Sequence, residues 1–267
     1  PEAYRRKARE VRDRFDDPRL QAMAGAVRPL DDDAGRKLQR IARGDGFFVT
    51  TGQQPGLFGG PLYTVHKTLS AIALAHRLEA LLDTPVLPLF WVASDDHDWD
   101  EANHTYLLDS ANELHRLELD GDPDSHRSMG VRPLDGAAEA ALGTLEEILP
   151  PSDFSPAILE HLGAAWRGGT VADAFAETLA SLFTGLGLGL VDAQDPVIRR
   201  LGRDVIRREL ERAEAHEAAL RAQTERLEGL GYEAQVPILA GASNVFYEDG
   251  EHGRERLLRE DGSWGLR

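Results

Sequence analysis

Two short β-prone runs, each leading directly into a polar loop, limit the fold of this chain more than any other feature. The first run is Phe47 to Thr50 and the second is Leu89 to Ala93. Between them lies an apolar pattern with the helical period, so the order is strand, loop, helix, strand, loop. Strands separated by helices of this length are typical of βαβ units, which form parallel sheets.

The helix between the two runs is predicted to begin at Pro61 and to end near Leu82. Proline suits the first helical position, because an N–H at that position would have no partner within the helix. One face of the helix is predicted to carry apolar side chains at steps of three and four: Leu62, Val65, Leu69 and Ile72.

The pattern continues after a proline- and charge-rich stretch, 121–155, which is predicted to be a connecting insertion. A helix is predicted over Val171 to Thr184, followed by a buried strand over Leu186 to Val191. One long charged helix is predicted from about Pro196 to Leu230. The fold class is therefore α/β with a mostly parallel sheet.

Three segments are predicted along the chain: helical residues 1–45, an α/β core at 46–234, and a β-containing connecting segment at 235–267. Within the last segment, short strands or a hairpin are expected at Val236 to Leu239 and Asn244 to Tyr247. The chain begins with Pro1 instead of methionine and stops without a terminating signal, so a fragment of a longer protein is expected.

Charge and cysteine content exclude several classes of function. The net charge of -16 would repel nucleic acid and anionic lipid over most of the surface. The chain has no cysteine, which excludes a disulfide framework and a thiolate metal site and suits a reducing cytoplasm. No apolar stretch approaches the ~18 residues needed to span a membrane. A cytoplasmic protein without nucleic-acid or membrane partners is expected.

The first stretch with visible chemistry is the glycine-rich segment Thr51 to Pro61, which joins the first strand to the helix. Glycines let a backbone approach a ligand closely, and a helix N-terminus favours an anion such as a carboxylate or phosphate. Gln53 and Gln54 suit polar uncharged groups, while His66 and Lys67 add a titratable group and a cation. Alternatively, the glycines serve only a tight crossover. The spacing matches neither the Walker A loop nor the dinucleotide fingerprint.

The second stretch is the acidic segment from Trp91 to His104. Loops at the carboxyl ends of neighbouring parallel strands face one crevice, so the two stretches are expected to meet there. Closely spaced carboxylates favour a shared proton or a bound cation. Asp96, His97 and Asp98 could therefore bind an attacking ammonium or take its proton.

Other interpretations of the acidic segment remain open. His97 and His104 could bind a metal ion together with carboxylates. Asp95 or Asp96 could instead be the N-cap of a solvated helix. Further along the chain, Asp192 and Asp195 follow the third predicted strand; they could join the crevice or cap the next helix.

Both stretches resemble signature sequences of the bacillithiol biosynthesis cysteine-adding enzyme family. The similar sequences are TGQQPGLFGGPLYTVHK at Thr51 to Lys67 and FWVASDDHDWDEANH at Phe90 to His104. GLGLVDAQDP at Gly187 to Pro196 and the later QVP and NVFYEDG segments are similar too. Family members tend to carry Glu-Asp-His-Asp-Phe where this chain has Asp95 to Trp99, which is a conservative change.

The resemblance implies a Rossmann-like core with helices on both faces of the sheet, followed in the full protein by a coiled coil through which the family forms homodimers. That coiled coil is largely absent from this chain. The implied reaction is a ligase step that joins the cysteine carboxylate to the amino group of glucosaminyl-malate and gives bacillithiol. ATP with Mg²⁺ is the candidate cofactor, although no nucleotide motif in the sequence supports it.

The working hypothesis gives catalysis to Asp96, His97 and Asp98, with no resident metal. It gives substrate binding to a set of glycine, polar and charged residues in the two stretches: Thr51, Gly52, Gln53, Gln54, Gly56, Gly59, Gly60, Tyr63, His66, Lys67, Ser94, Asn103 and His104. Two other classes of function compete with the ligase. They are a metal-dependent hydrolase of a small sugar-amide and a non-catalytic module that binds a sugar acid.

Overall fold

The computed structural model describes residues 1–15, 17–121, 125–249, 253–260 and 262–266. It divides into two compact units, one formed by Pro1–Asp124 with Ser128–Leu201 and the other by Ser125–Arg127 with Gly202–Arg267. Among the described residues, no helix combines the length and the apolarity that crossing a bilayer requires.

The first unit mixes helices and strands along its length. Its helices are α1 (Glu2–Arg12), α2 (Asp17–Gly25), α3 (Asp32–Ile41), α4 (Tyr63–Leu82), α5 (Trp99–Ala102), α6 (Glu139–Ile148), α7 (Ser155–Ala165) and α8 (Val171–Phe183). Its strands are β1 (Val27–Pro29), β2 (Phe47–Gln53), β3 (Val86–Val92), β4 (His104–Leu108), β5 (Leu114–Glu118) and β6 (Gly189–Asp192). A 3-10 turn, Leu57–Gly59, precedes α4, and α9 (Pro196–Glu211) spans the sequence boundary between the units.

The central sheet of the first unit has the strand order β1-β6-β3-β2. β2, β3 and β6 are parallel, whereas β1 pairs antiparallel with β6. The predicted mostly parallel sheet is therefore confirmed. β1 lies within residues 1–45, where only helices were predicted, because a three-residue strand is too short to show a period.

Helices cover both faces of this sheet, as predicted. Successive side chains of a strand point to opposite faces. On one face, Phe90 and Val92 of β3 pack in a cluster with Ile72 of α4 and residues of α8. On the other face, Leu87 and Leu89 pack in a second cluster with Leu38 and other residues of α3.

The predicted apolar face of α4 is wrong in part. Leu62 is 70% exposed and Leu69 is 44% exposed. The buried side chains of α4 form a neighbouring stripe of mostly small residues: Thr64, Thr68, Ala71, Ile72 and Ala75. Small side chains let the helix lie close to β2 and β3, so size, not hydrophobicity, selects the buried face. The helix also begins at Tyr63, two residues after the predicted Pro61.

Two further boundaries differ from the predictions. β2 continues to Gln53, so the start of the predicted glycine-rich loop is strand, held by a continuous register with β3. The long charged helix is two helices, α9 and α10 (Ala213–Gly229), because Arg212 leaves the helical conformation at φ -117° and ψ 16°. In addition, α6 lies within the predicted connecting insertion, outside the central sheet.

The second unit contains α10 and an antiparallel sheet of β7 (Ala242–Asp249), β8 (Gly253–Glu260) and β9 (Ser263–Gly265), in that order. The strand predicted at Asn244 to Tyr247 is confirmed, and the one at Val236 to Leu239 is wrong. The side chain of Glu217 on α10 accepts a hydrogen bond from the Gly241 N–H at 3.1 Å. Such contacts group α10 with the strands, so the structure divides at Leu201, whereas a division at 234/235 was expected.

Asp31 is the N-cap of α3 and also holds the turn before β6. Its Oδ1 accepts from the Ala34 N–H at 2.9 Å and its Oδ2 from the Gly187 N–H at 2.8 Å. Burial opposes ionisation, but the backbone donors outweigh it and lower the pKa of Asp31 below its ordinary value of 3.8. The ionised carboxylate therefore stabilises the folded state.

Replacing this cap, Asp31→Ala, is expected to lower the free energy of unfolding by about 1–2 kcal/mol at neutral pH. Because the pKa of Asp31 is lowered in the folded state, its contribution to the free energy of unfolding is complete above the ordinary carboxyl range. The contribution is lost as the pH falls through the folded-state pKa. Denaturant unfolding of both proteins at pH 7 and near pH 3 should therefore show the difference shrinking. Asp32→Ala, at the exposed next residue, is the control, and an equal loss there would contradict the cap.

Candidate active site

The carboxyl ends of the three parallel strands meet at one edge of the central sheet. Gln53 pairs with Val92, and Val92 pairs with Asp192. The loops that follow β2, β3 and β6 therefore leave the sheet side by side. The expected meeting of the two sequence stretches at one crevice is confirmed.

A direct hydrogen bond joins the two stretches. Gln54 Nε2 donates to Asp96 Oδ2 at 2.8 Å, and the Asp98 N–H donates to Asp96 Oδ1 at 2.8 Å. Each carboxylate oxygen thus has one protein donor and keeps a further acceptor position. The Asp96 side chain is half-buried and fixed in direction, so it can receive a donor from a ligand.

A cation stands beside the same crevice. Lys67 Nζ donates to Gln53 Oε1 at 3.0 Å and lies 5.1 Å from the ring centroid of Tyr63. Lys67, Tyr63 and the exposed His66 border a groove of about 340 Å³ between β2 and α4. Leu62, the N-cap of α4, has no side chain that can cap the helix. Lys67 and this helix end together suit an anionic group.

The glycine-rich loop is packed into the protein. Gly56, Leu57 and Gly59 are buried. Phe58 has a left-handed φ of 54°, and its ring stacks edge-on against Trp166 at a centroid distance of 5.5 Å. Gly60 also has a positive φ, 70°, which glycine adopts easily. The structure thus gives this part of the loop a packing role, and substrate binding by Gly56, Gly59 and Gly60 stays a prediction.

Ser94 connects the loop after β3 to the loop after β6. It is fully buried, and its hydroxyl donates to Asp192 Oδ1. The Gln194 N–H donates to the same Asp192 oxygen at 2.6 Å. Asp192 therefore joins the crevice by orienting Ser94. Asp195 caps α9 instead, because its Oδ1 accepts from the Val197 N–H at 2.7 Å.

Sequence reasoning missed a third segment of the site, Ser128–Gly130. The Met129 N–H donates to the Asp96 carbonyl and the Gly130 N–H to the Ser94 carbonyl, both at 2.8 Å. A Cβ on Gly130 would lie 2.7 Å from Gln194 Oε1, so the segment is fitted closely against its neighbours. This segment braces the backbone of the acidic loop. Its one local signal, a glycine after Ser-Met, is too common to have been recognised.

Asn103 and His104 are held toward β5. Asn103 is buried; its Nδ2 donates to Glu118 Oε1 at 3.2 Å, and its Oδ1 lies 2.9 Å from His104 Nδ1. His104 also stacks edge-on with Tyr106 at 5.4 Å. The described hydrogen bonds of Asn103 and His104 therefore hold the start of the β4–β5 hairpin, and the role of the two residues in closing a pocket stays a prediction.

The helix-cap role that was considered for Asp95 or Asp96 belongs to Asp98. Asp98 Oδ1 accepts from the Glu101 N–H at 3.2 Å and begins α5. The next residue, Trp99, is buried beneath the guanidinium of Arg132, which lies 4.1 Å from its ring centroid. The acidic loop is thus anchored immediately after the Asp96–Asp98 turn.

The metal interpretation of the acidic loop receives no support from the described side chains. Across the described ranges, the set of ligand atoms close enough for one ion is Asp109, Glu113 and His115, not His97 and His104. In that set, Asp109 accepts from His115 and from two backbone N–H groups; the His115 hydrogen bond is the largest cause of the lowered pKa of Asp109. These hydrogen bonds belong to the turn between β4 and β5, and they explain why the three side chains lie close together.

Residues 3–267 match the family model described as the bacillithiol biosynthesis BshC N-terminal Rossmann-like domain. The chain belongs to the BshC family. Its two signature stretches are the ones that the Gln54–Asp96 hydrogen bond joins. The Rossmann-like fold implied by the sequence resemblance is therefore confirmed.

Three relatives, each named "Putative cysteine ligase BshC", illustrate the similarity. The Salinibacter ruber protein is 35% identical over 239 residues, which cover 89% of this chain and 41% of the relative. The Prosthecochloris aestuarii protein is 35% identical over 218 residues, covering 80% and 38%. A Bacillus cereus protein is 32% identical over 219 residues, covering 80% and 40%. The chain spans about two fifths of the length of these BshC relatives.

Proposed function

We propose that this chain supplies the amine-activating part of a ligase that joins the carboxylate of L-cysteine to the amino group of glucosaminyl-malate, giving bacillithiol. The observation that carries the proposal is the Asp96 carboxylate, fixed by Gln54 and the Asp98 N–H at the carboxyl edge of the parallel sheet. Ligands of open α/β sheets bind at this edge. The name of the relatives, which calls them cysteine ligases, supports the reaction class.

In the proposed reaction, the substrate ammonium first binds Asp96 and then loses a proton. Loss of that proton frees the nitrogen lone pair, which attacks the activated carboxyl carbon. The amide bond forms as the bond from that carbon to the activating phosphate or adenylate oxygen breaks, so that phosphate or AMP leaves and the nitrogen gives up a second proton. Asp96 orients the ammonium, while the adjacent half-buried His97 takes the proton. Asp98, which caps α5, fixes the Asp96 side chain through its N–H. Gln53 and Gln54 hold polar groups of the sugar.

Lys67 and the uncapped end of α4 fit the anionic part of a substrate, either malate or a carboxylate that is being activated. They suit a phosphate equally well, so the same groups would hold part of a nucleotide. ATP with Mg²⁺, as the proposed cofactor, would supply the activation of the cysteine carboxylate.

A mass-spectrometric product assay tests the proposed function. The full-length protein is incubated with glucosaminyl-malate, cysteine and ATP with Mg²⁺, and each component is omitted in turn. Bacillithiol that requires ATP is expected, and formation of AMP or ADP identifies the activation. Bound glucosaminyl-malate without product under any condition would contradict the ligase and favour a sugar-acid binding module.

Removing the cation beside the crevice, Lys67→Met, is expected to raise the KM for glucosaminyl-malate by about tenfold, because a hydrogen bond to a charged group is lost. The effect on kcat should be smaller. Arg77→Met removes an exposed cation from the same helix and is the matched control. Equal KM values for wild type and Lys67→Met would exclude Lys67 from binding glucosaminyl-malate.

The proposed enzyme works in the cytoplasm and forms a homodimer through the coiled coil of the family, which lies largely outside this chain. The absence of cysteine from the chain suits a reducing compartment. Light scattering of the full-length protein should give twice the mass of one chain. A monomer would contradict the proposed assembly.

A further inference from the structure

Gln194 lies in the loop that follows β6, and its side chain has no role in the proposed reaction. Its main-chain N–H donates both to Asp192 Oδ1 at 2.6 Å and to Ser94 Oγ at 3.2 Å. These bonds fix the backbone from which the half-buried side chain extends. The Gln194 side chain therefore starts from a fixed point at the carboxyl edge of the sheet.

The side-chain amide of Gln194 joins three segments of the chain. Its Nε2 donates to the Ser94 carbonyl at 3.3 Å, in the loop after β3, and to Ser128 Oγ at 2.5 Å. Ser128 begins the segment that braces the acidic loop. Both serines are fully buried, so an acceptor that lost this donor would bear a desolvation penalty. One amide group thus ties the loop after β6 to the two other segments.

The bonds made by this amide adjoin those that hold the acidic loop. The Gly130 N–H donates to the same Ser94 carbonyl, and the Met129 N–H donates to the Asp96 carbonyl, both at 2.8 Å. The Ser94 carbonyl therefore accepts from two segments at once. The position of the Asp96 backbone depends in turn on where the Gln194 amide holds these neighbours.

Gly130 packs directly against the amide of Gln194. A Cβ on Gly130 would lie 2.7 Å from Gln194 Oε1, 2.9 Å from its Cδ and 3.1 Å from Ser94 Cβ. Because the amide is hydrogen-bonded through Nε2, it cannot move aside without weakening those bonds. A methyl group at position 130 would therefore displace the amide while leaving Gln194 itself unchanged.

We propose that Gln194 is a positioning residue: acting through Ser94 and Ser128–Gly130, it fixes the backbone of the acidic loop and with it the direction of the Asp96 carboxylate. The inference rests on the proposed function, in which Asp96 orients the substrate ammonium. A small displacement of the carboxylate leaves its charge available to the ammonium but moves the nitrogen out of line with the carbon it attacks. Loss of the Gln194 amide should therefore lower kcat and leave KM nearly unchanged.

Steady-state kinetics of the full-length protein test this separation of kcat from KM. Gln194→Met removes the amide and should lower kcat by about tenfold or more, with the KM for glucosaminyl-malate within about threefold of wild type. Gly130→Ala should lower kcat in the same way. Gln39→Met replaces an exposed glutamine of α3 and is the matched control. A raised KM with unchanged kcat in Gln194→Met would overturn the proposal.

The pH profile of Gln194→Glu gives a readout that a loss of packing would not change. An ionised carboxylate cannot donate, whereas a protonated carboxyl can donate to Ser128 Oγ or to the Ser94 carbonyl. The nearby Asp192 carboxylate raises the pKa of the introduced carboxyl by like-charge repulsion. The ratio of variant to wild-type kcat should therefore rise about fivefold as the pH falls through that pKa. A ratio as flat as that of Gln194→Met would overturn the proposal.

Amide hydrogen exchange without substrate tests the bracing independently of the reaction. In full-length Gln194→Met, the Met129 and Gly130 amides should exchange about tenfold or more faster than in wild type, and in Gln39→Met they should not change. Unchanged exchange at both amides in Gln194→Met would overturn the proposal. A wild-type protein that forms no product would contradict the proposed function instead, while faster exchange in Gln194→Met would still support the bracing.

Discussion

Full-length protein carrying Asp96→Asn is expected to lose ~100-fold or more of its turnover number, because a positioned carboxylate that binds and helps deprotonate the amine contributes on this scale. Asparagine keeps an oxygen that can accept from the Asp98 N–H. The free energy of unfolding should therefore fall by only about 1 kcal/mol. His97→Gln, which removes the proposed proton acceptor, should lower turnover similarly. Product formation at saturating substrate and denaturant unfolding measure the two quantities.

The matched control for these variants is Asp100→Asn. It removes an exposed carboxylate from the same acidic segment, within α5, and should leave turnover within about twofold of wild type, as is usual for a residue away from the chemistry. If Asp96→Asn and His97→Gln retained full turnover, neither residue could belong to the mechanism. If all three variants lost turnover equally, the acidic loop would act through its net charge and not through one oriented carboxylate.

The strand and helix order of the core could be predicted from the sequence because each element carries its own period. Apolar runs such as Phe47 to Thr50 have a length and composition that local physics favours as strands. The meeting of the Gln54 and Asp96 loops followed from the parallel direction of β2 and β3. Both steps need only local pattern and the chirality and connectivity rules of α/β sheets.

Other features depended on contacts between residues distant in the sequence. Ser128–Gly130 reaches the acidic loop through backbone bonds to Ser94 and Asp96, and backbone groups leave no residue-type signal. The buried stripe of α4 is determined by how closely the helix approaches the sheet. The hydrophobicity of Leu62 and Leu69 gives no information about that distance. Asp98 caps α5 because it directly precedes Trp99, the first helical residue, whereas the Asp96 carboxylate is bonded to Gln54 and to the Asp98 N–H.

Substitution of Gly52 distinguishes a packing role of the glycine-rich stretch from a ligand-binding role. Gly52 pairs directly with Trp91 of β3, and a Cβ at this position would lie 2.7 Å from the Trp91 carbonyl oxygen and 2.9 Å from the Trp91 Cβ. A carbonyl oxygen in a paired central strand cannot move aside without disturbing the register. Gly52→Ala is therefore expected to lower the free energy of unfolding of the full-length protein by about 1–3 kcal/mol.

Gly35→Ala, in the middle of α3, is the matched control for Gly52→Ala. A Cβ on Gly35 would meet no heavy atom within 4 Å, so alanine should stabilise the helix by up to ~1 kcal/mol. Denaturant unfolding compares the two variants, and product formation per folded molecule is measured in parallel. Lost stability with normal activity in Gly52→Ala would assign the glycine to strand packing. Normal stability with lost activity would instead place a substrate against the β2 backbone, and would contradict the close approach of Gly52 to Trp91 as the reason for glycine there.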